Sequence, residues 1–157
     1  MSKTTRATQA LAQAGVAFTL HPYTYDPSAE RIGLQAAEAL GEDPERVLKT
    51  LMTEVDGKPV CVVLASDREV SMKKLAAAAG GKSAGMMKAP DAERLTGFVV
   101  GGVSPFGQKK RVPIFIDAPA LAHERVFING GQRGLLVGLN PRDGLKACGG
   151  QAASITA

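Results

Sequence analysis

A mixed α/β (α+β) domain, built as a mostly antiparallel, barrel-like β-sheet surrounded by helices, is the fold class this sequence predicts. Three observations predict it. The length, 157 residues, suits one domain spanning 1–157. Hydrophobic residues make up 45% and charged residues 22%, which suits a soluble chain with a real core. Short strand-like and helix-like runs mix without regular β-α-β alternation, and Asp56-Gly57 carries a hairpin signature.

The elements follow in order. Ala7, Ala10, Leu11 and Ala14 recur at helical spacing, predicting a helix from Thr4 to Ala14 with Gly15 as its left-handed cap. Val16 to Leu20 reads as a short strand. His21, Tyr23 and Tyr25 then alternate, but Pro22 and Pro27 mark an irregular edge or loop. The two tyrosines there either line a pocket or wall an ordinary edge. An Ala-rich helix runs from Gly33 to Leu40 and stops at Gly41. Asp43 and Pro44 open a short helical turn that leads into a strand through Met52 and Val55. The chain turns back at Asp56-Gly57 into Pro59–Ala65, which is apolar on both faces.

Ser71 caps a helix through Ala79, stopped by Gly80-Gly81. Lys82 to Met87 is a short strand, and a helix from Pro90 ends at Gly97. Val112 to Ile116 is a strand ending at Asp117, followed by a turn or short helix over Ala118–Leu121. Arg125–Ile128 and Leu135–Leu139 are strands around a glycine-rich loop. Pro141–Cys148 is a short helix, and Gln151–Ile155 a last strand.

With no Trp and only 4% aromatic residues, the core must be aliphatic. No apolar run approaches the ~18 residues of a membrane span. The N-terminus has no apolar signal-peptide core and reads as a helix, so a cytoplasmic location without membrane association is expected. Cys61, inside an apolar strand, and the distant Cys148 form no disulfide framework, and nothing near Cys61 would activate its thiol. The net charge of +4 weakly favours an anionic partner. Its cations cluster at Lys73-Lys74, at Lys82 and Lys88, and at Lys109-Lys110-Arg111.

Two features stand out. Lys49 falls between Val47 and Leu51, which share its face in a strand. Such a lysine snorkels, pairs, or lines a cavity. The stretch from Val99 to Pro113 holds three glycines, a Ser-Pro turn and three consecutive cations between two strand-like runs. It is either a loop with a solvated basic tip or a backbone that passes close to a ligand.

Common chemistries fail here on specific residues. Gly102 to Gly107 has phosphate-loop spacing, but Gln108 and Lys109 follow where Lys and Ser/Thr are required. Ser104 is followed by Pro105, which has no N–H to contribute to an oxyanion hole, so Ser104 reads as a turn residue rather than a nucleophile. His21 and His123 have no metal-ligand spacing. No metal or cofactor is expected, and no conventional nucleophile is apparent. Either the chain is a binding module or its substrate brings the reactive group.

V-L-K-T-L at 47–51, V-G-G-V-S-P-F-G-Q-K-K-R-V-P at 100–113 and I-N-G-G-Q-R-G-L at 128–135, in this order, resemble the YbaK/ProX-type aminoacyl-tRNA deacylases. The H-P-Y and D-A-P-A stretches extend the likeness over nearly the whole chain, and the YbaK branch, the cysteinyl-tRNA(Pro) deacylases, is the nearest. The resemblance implies a YbaK-like editing domain, also found inserted in some prolyl-tRNA synthetases. It implies trans-editing hydrolysis of mischarged Cys-tRNA(Pro), in which the substrate thiol attacks its own ester. It casts Lys49 as the catalytic residue, and Tyr23, Gly101, Gly102, Ser104, Pro105 and Phe106 as the substrate pocket. Lys73, Lys74, Lys109, Lys110 and Arg111 would contact tRNA. The implied partners are aminoacyl-tRNA of the tRNA(Pro) and tRNA(Cys) kinds and prolyl-tRNA synthetase. Leu136 and Ile32 depart from the family pattern, where an acidic and an aromatic residue occur, and bear on amino-acid preference. The alternatives are a deacylase for another mischarged tRNA, such as Ala-tRNA(Pro), and a tRNA- or synthetase-binding module without catalysis.

Overall fold

The computed structural model describes residues 4–28 and 32–157, with residues 32 and 33 described by their backbone alone; the Ile32 side chain lies outside the described residues. Strand β2 (Leu48–Val55) is the spine of the molecule. It pairs along its whole length with β3 (Lys58–Ala65) through the Asp56-Gly57 turn. Both turn residues have positive φ, 50° and 80°, as a two-residue hairpin requires. On the other side β2 meets β4 (Ala84–Met86), but only over Thr53–Val55.

Beyond β3 lie β5 (Ile114–Asp117) and β8 (Gln151–Ala153), both joined in parallel. The sheet order is β4-β2-β3-β5-β8. A second, antiparallel sheet has the order β1-β7-β6, from β1 (Thr19–Pro22), β6 (Val126–Asn129) and β7 (Leu135–Leu139). The sheets meet where Val47 bridges Phe127 and the Phe127 N–H donates to the Arg46 carbonyl at 2.8 Å. They do not close on each other, so the expected "barrel-like" sheet is two open sheets joined at one bridge. Most pairings are antiparallel, as the sequence predicts.

Among the described residues five α-helices pack around these sheets: α1 (Arg6–Gln13), α2 (Ile32–Leu40), α3 (Met72–Ala78), α4 (Ala89–Thr96) and α5 (Pro141–Ala147). A 3₁₀ turn spans Ala118–Ala122. β3 is buried on both faces, as its unbroken apolar run implies. Cys61 and Val63 enter the main core with Leu11, Met52, Phe106 and Ile128, while Val60, Val62 and Leu64 pack with Leu75 of α3.

The first strand is displaced from its predicted place. Val16 and Phe18 pack against the core from a loop, and pairing begins at Thr19, opposite Gly138 of β7. Pro22 ends this edge strand, where a missing N–H costs no ladder bond. The last strand ends at Ala153, and Thr156 makes a separate bridge to Val70. No helix of the described residues is long and apolar enough to cross a membrane.

Candidate functional site

Because β4 covers only Thr53–Val55, the outer edge of β2 from Leu48 to Met52 borders a cavity of about 710 Å³. Lys49, Thr50 and Met52 line it from β2. Tyr23 and Tyr25 line it from the segment after β1, Val100, Gly101 and Val103 from the glycine-rich stretch, and Asn129 and Arg133 from the loop between β6 and β7. Met86, Met87 and Leu136 complete an apolar lining. A cavity of this size takes a drug-sized ligand and uses a few polar groups to orient it.

Lys49 is half-buried and shares its strand face with Leu51 and Val55, which pack toward α3. Burial pulls its ammonium below the usual lysine range, and the nearby carboxylates Glu69 and Asp67 partly offset this. It is a cation kept in a poorly hydrated place. Tyr23 is held by its backbone, whose N–H donates to the Gly134 carbonyl at 2.8 Å. Burial pushes its phenol up, so it stays a neutral hydroxyl. Thr50 contributes a buried hydroxyl with no hydrogen-bond partner among the described residues.

The glycine wall is fastened from three directions. The Asn129 side-chain amide donates to the Gly101 carbonyl at 2.9 Å, the Arg133 Nε–H to the Val100 carbonyl at 2.9 Å, and the Val100 N–H to a Glu93 carboxylate oxygen at 2.8 Å. Gly101 has φ +93°, and a Cβ there would stand 2.8 Å from the Tyr25 hydroxyl. At Gly102 a Cβ would stand 2.8 Å from the Arg133 backbone nitrogen and 2.9 Å from Gln132 backbone atoms. Both glycines thus allow a close approach, but to the neighbouring loop and Tyr25. The Gly102 N–H is engaged with the Val99 carbonyl at 2.8 Å and is not free to hold an oxyanion.

The structure brings Tyr23, Lys49 and Gly101 to one cavity and places the other expected pocket residues behind it. Gly102, Ser104, Pro105 and Phe106 are buried outside the lining. Ser104 Oγ accepts from the Phe106 N–H at 3.2 Å, and the Ser104 carbonyl accepts from Gln108 Nε2 at 2.9 Å. Ser104 is therefore a turn residue, and Phe106 is core.

Nor do the expected tRNA-contacting cations line the cavity. Lys73, Lys109, Lys110 and Arg111 are exposed elsewhere, and Arg111 faces a different groove, with Lys58 and Gly80. Lys74 Nζ donates to the Thr156 carbonyl at 2.9 Å, tying α3 to the C-terminal segment. Among the described residues the lining cations are Lys49 and Arg133. Sequence reasoning found the I-N-G-G-Q-R-G loop but gave its side chains Asn129 and Arg133 no role.

Cys61 is not an alternative nucleophile. It is fully buried, and burial pushes its thiol up to about 12. Both cysteines are free thiols. No cluster of His, Cys, Asp and Glu suited to a metal occurs among the described residues.

Residues 26–147 match the model of the aminoacyl-tRNA editing domain, and the chain belongs to that family. It is 38% identical over 122 residues to EbsC of Enterococcus faecalis, a candidate Cys-tRNA(Pro)/Cys-tRNA(Cys) deacylase, covering 76% of this chain and 74% of the relative. It is 34% identical over 100 residues to the proline–tRNA ligase of Maridesulfovibrio salexigens, covering 64% of this chain but 17% of that larger protein. The crystal structure of a candidate trans-editing enzyme for prolyl tRNA synthetase shares the fold, with a TM-score of 0.81, 23% identity and coverage of 97% of this chain and 95% of that one.

Proposed function

We propose that this protein is a trans-editing deacylase that hydrolyses mischarged Cys-tRNA(Pro). The observation that carries the reading is Lys49, a half-buried ammonium in a mostly apolar cavity beside the glycine wall, with no serine, cysteine or histidine among the described lining residues. Lys49 would sit against the ester carbonyl and stabilise the negative charge that develops on its oxygen. One preorganised donor of this kind is worth roughly 3–4 kcal/mol in the transition state.

The nucleophile is the substrate's own thiol. As a thiolate it attacks the acyl carbon, a sulfur–carbon bond forms, and the ester carbon–oxygen bond breaks. The departing tRNA 3′-oxygen takes up the proton that the thiol released. The small cyclic thioester left behind opens in water. The cavity contributes proximity, by holding thiol and carbonyl together. The dispersed cations Lys73, Lys109, Lys110 and Arg111 would attract tRNA phosphates without reading sequence. In this reading the domain spans 1–157 as one unit, and prolyl-tRNA synthetase is a partner that supplies tRNA(Pro) specificity.

A deacylation panel tests this. Cysteinyl-tRNA(Pro), alanyl-tRNA(Pro) and cysteinyl-tRNA(Cys) are incubated with the protein, with and without prolyl-tRNA synthetase. The expected result is loss of cysteine from both cysteinyl-tRNAs, with a preference for tRNA(Pro) that grows when synthetase is present. Faster loss of alanine would reassign the substrate, and binding without any deacylation would leave a non-catalytic module.

A further inference from the structure

Arg133 is tied down at one end and open at the other. Its Nε–H is committed to the Val100 carbonyl at 2.9 Å, and the guanidinium carbon lies 5.2 Å from the centre of the Tyr25 ring. Among the described residues its two terminal nitrogens have no hydrogen bond or ion pair. The residue lines the cavity yet remains partly solvated, so it stands at the mouth. A fixed planar cation with a free fork of N–H groups matches a phosphate, and a guanidinium–tyrosine stack matches the flat face of a base. Exposed apolar side chains share that rim: Met86 is 53% exposed and Val100 42%.

We propose that Arg133, stacked on Tyr25, grips the terminal nucleotide of a single-stranded substrate, with its free fork on that nucleotide's 5′-phosphate and the Tyr25 face and apolar rim against the base. The proposal rests on the deacylase reading for the identity of the substrate and gives it a nucleotide subsite. It moves specific phosphate contact from the outlying lysines to the cavity mouth. Lys49 lines the same cavity, so the grip and the ester-holding lysine act on one end of one strand.

Equilibrium binding of adenosine and of 5′-AMP to the intact protein tests the grip without catalysis. The wild type should bind 5′-AMP about tenfold more tightly than adenosine, a preference that fades as salt rises. Arg133→Gln should abolish the preference, lowering the affinity for 5′-AMP far more than that for adenosine. Arg133→Lys should keep part of it, and Tyr25→Leu should weaken both ligands alike. Equal affinity of the wild type for the two ligands would overturn the proposal. So would equal losses for both in Arg133→Gln, because Arg133 would then merely hold the Val100 loop. A protein that shows the phosphate preference but deacylates none of the aminoacyl-tRNAs would retain the subsite and lose the deacylase reading.

Discussion

Lys49→Ala should lower single-turnover deacylation of Cys-tRNA(Pro) by about 10²–10³-fold, the usual effect of removing one preorganised donor from a developing oxyanion. The fold should survive. Lys49 is half-buried, and burial pulls its ammonium down, so holding that charge opposes folding. The sign follows from linkage: with a folded pKa below the unfolded one, the penalty is fully present at neutral pH. It disappears as pH rises through the folded and then the unfolded value. Lys49→Met, which fills similar space without charge, should therefore be at least as stable as the wild type at pH 7 while losing activity equally. Thermal unfolding and single-turnover rates on the same samples check both halves. Full activity in either variant would place the site elsewhere.

The pH profile carries the same signature. Activity should rise as the substrate thiol ionises, near the usual cysteine value of about 8.5. It should then fall as Lys49 loses its proton, below the range of an exposed lysine. A profile that rises and stays flat far into alkali would show that the ammonium is not required.

Gly102→Ala should have the second large effect, through packing. Its new methyl would stand 2.8–2.9 Å from backbone atoms of Gln132 and Arg133. No side chain can rotate away, so the two glycine loops must separate. Overpacking of this kind costs about 1–3 kcal/mol. The separation should pull the Gly101 carbonyl from Asn129 and the Val100 carbonyl from Arg133, so the cavity wall moves with it. Expected together are a lower denaturant midpoint and a deacylation loss larger than the stability loss explains. Unchanged stability would mean that the loops are not packed as described.

The fold was largely legible because its signals are local. The Asp56-Gly57 turn, the Ser71 cap and the unbroken apolar run of β3 each announce one element, and each stands where expected. The start of β1 was not legible. Val16 and Phe18 look like strand residues, but the strand begins where a partner exists, at Gly138. Closure of the sheets was equally hidden, since it depends on distant edges meeting.

At the site, Lys49 betrayed itself as a charge in an apolar strand pattern. Asn129 and Arg133 did not. Their work is side-chain to backbone bonding between loops some thirty positions apart, which leaves no periodicity or spacing in the chain. Ser104 and Phe106 carry the opposite ambiguity, because a buried turn and a pocket wall draw on the same small and aromatic residues, and here both lie behind the lining.

The substrate thiol is the centre of the proposed mechanism. Its most direct test is single-turnover deacylation of tRNA(Pro) carrying cysteine or the analogue whose thiol is replaced by methyl. The account predicts rapid loss of cysteine and a rate for the analogue close to spontaneous hydrolysis. Comparable rates for the two would contradict it and require a nucleophile from water or from the protein.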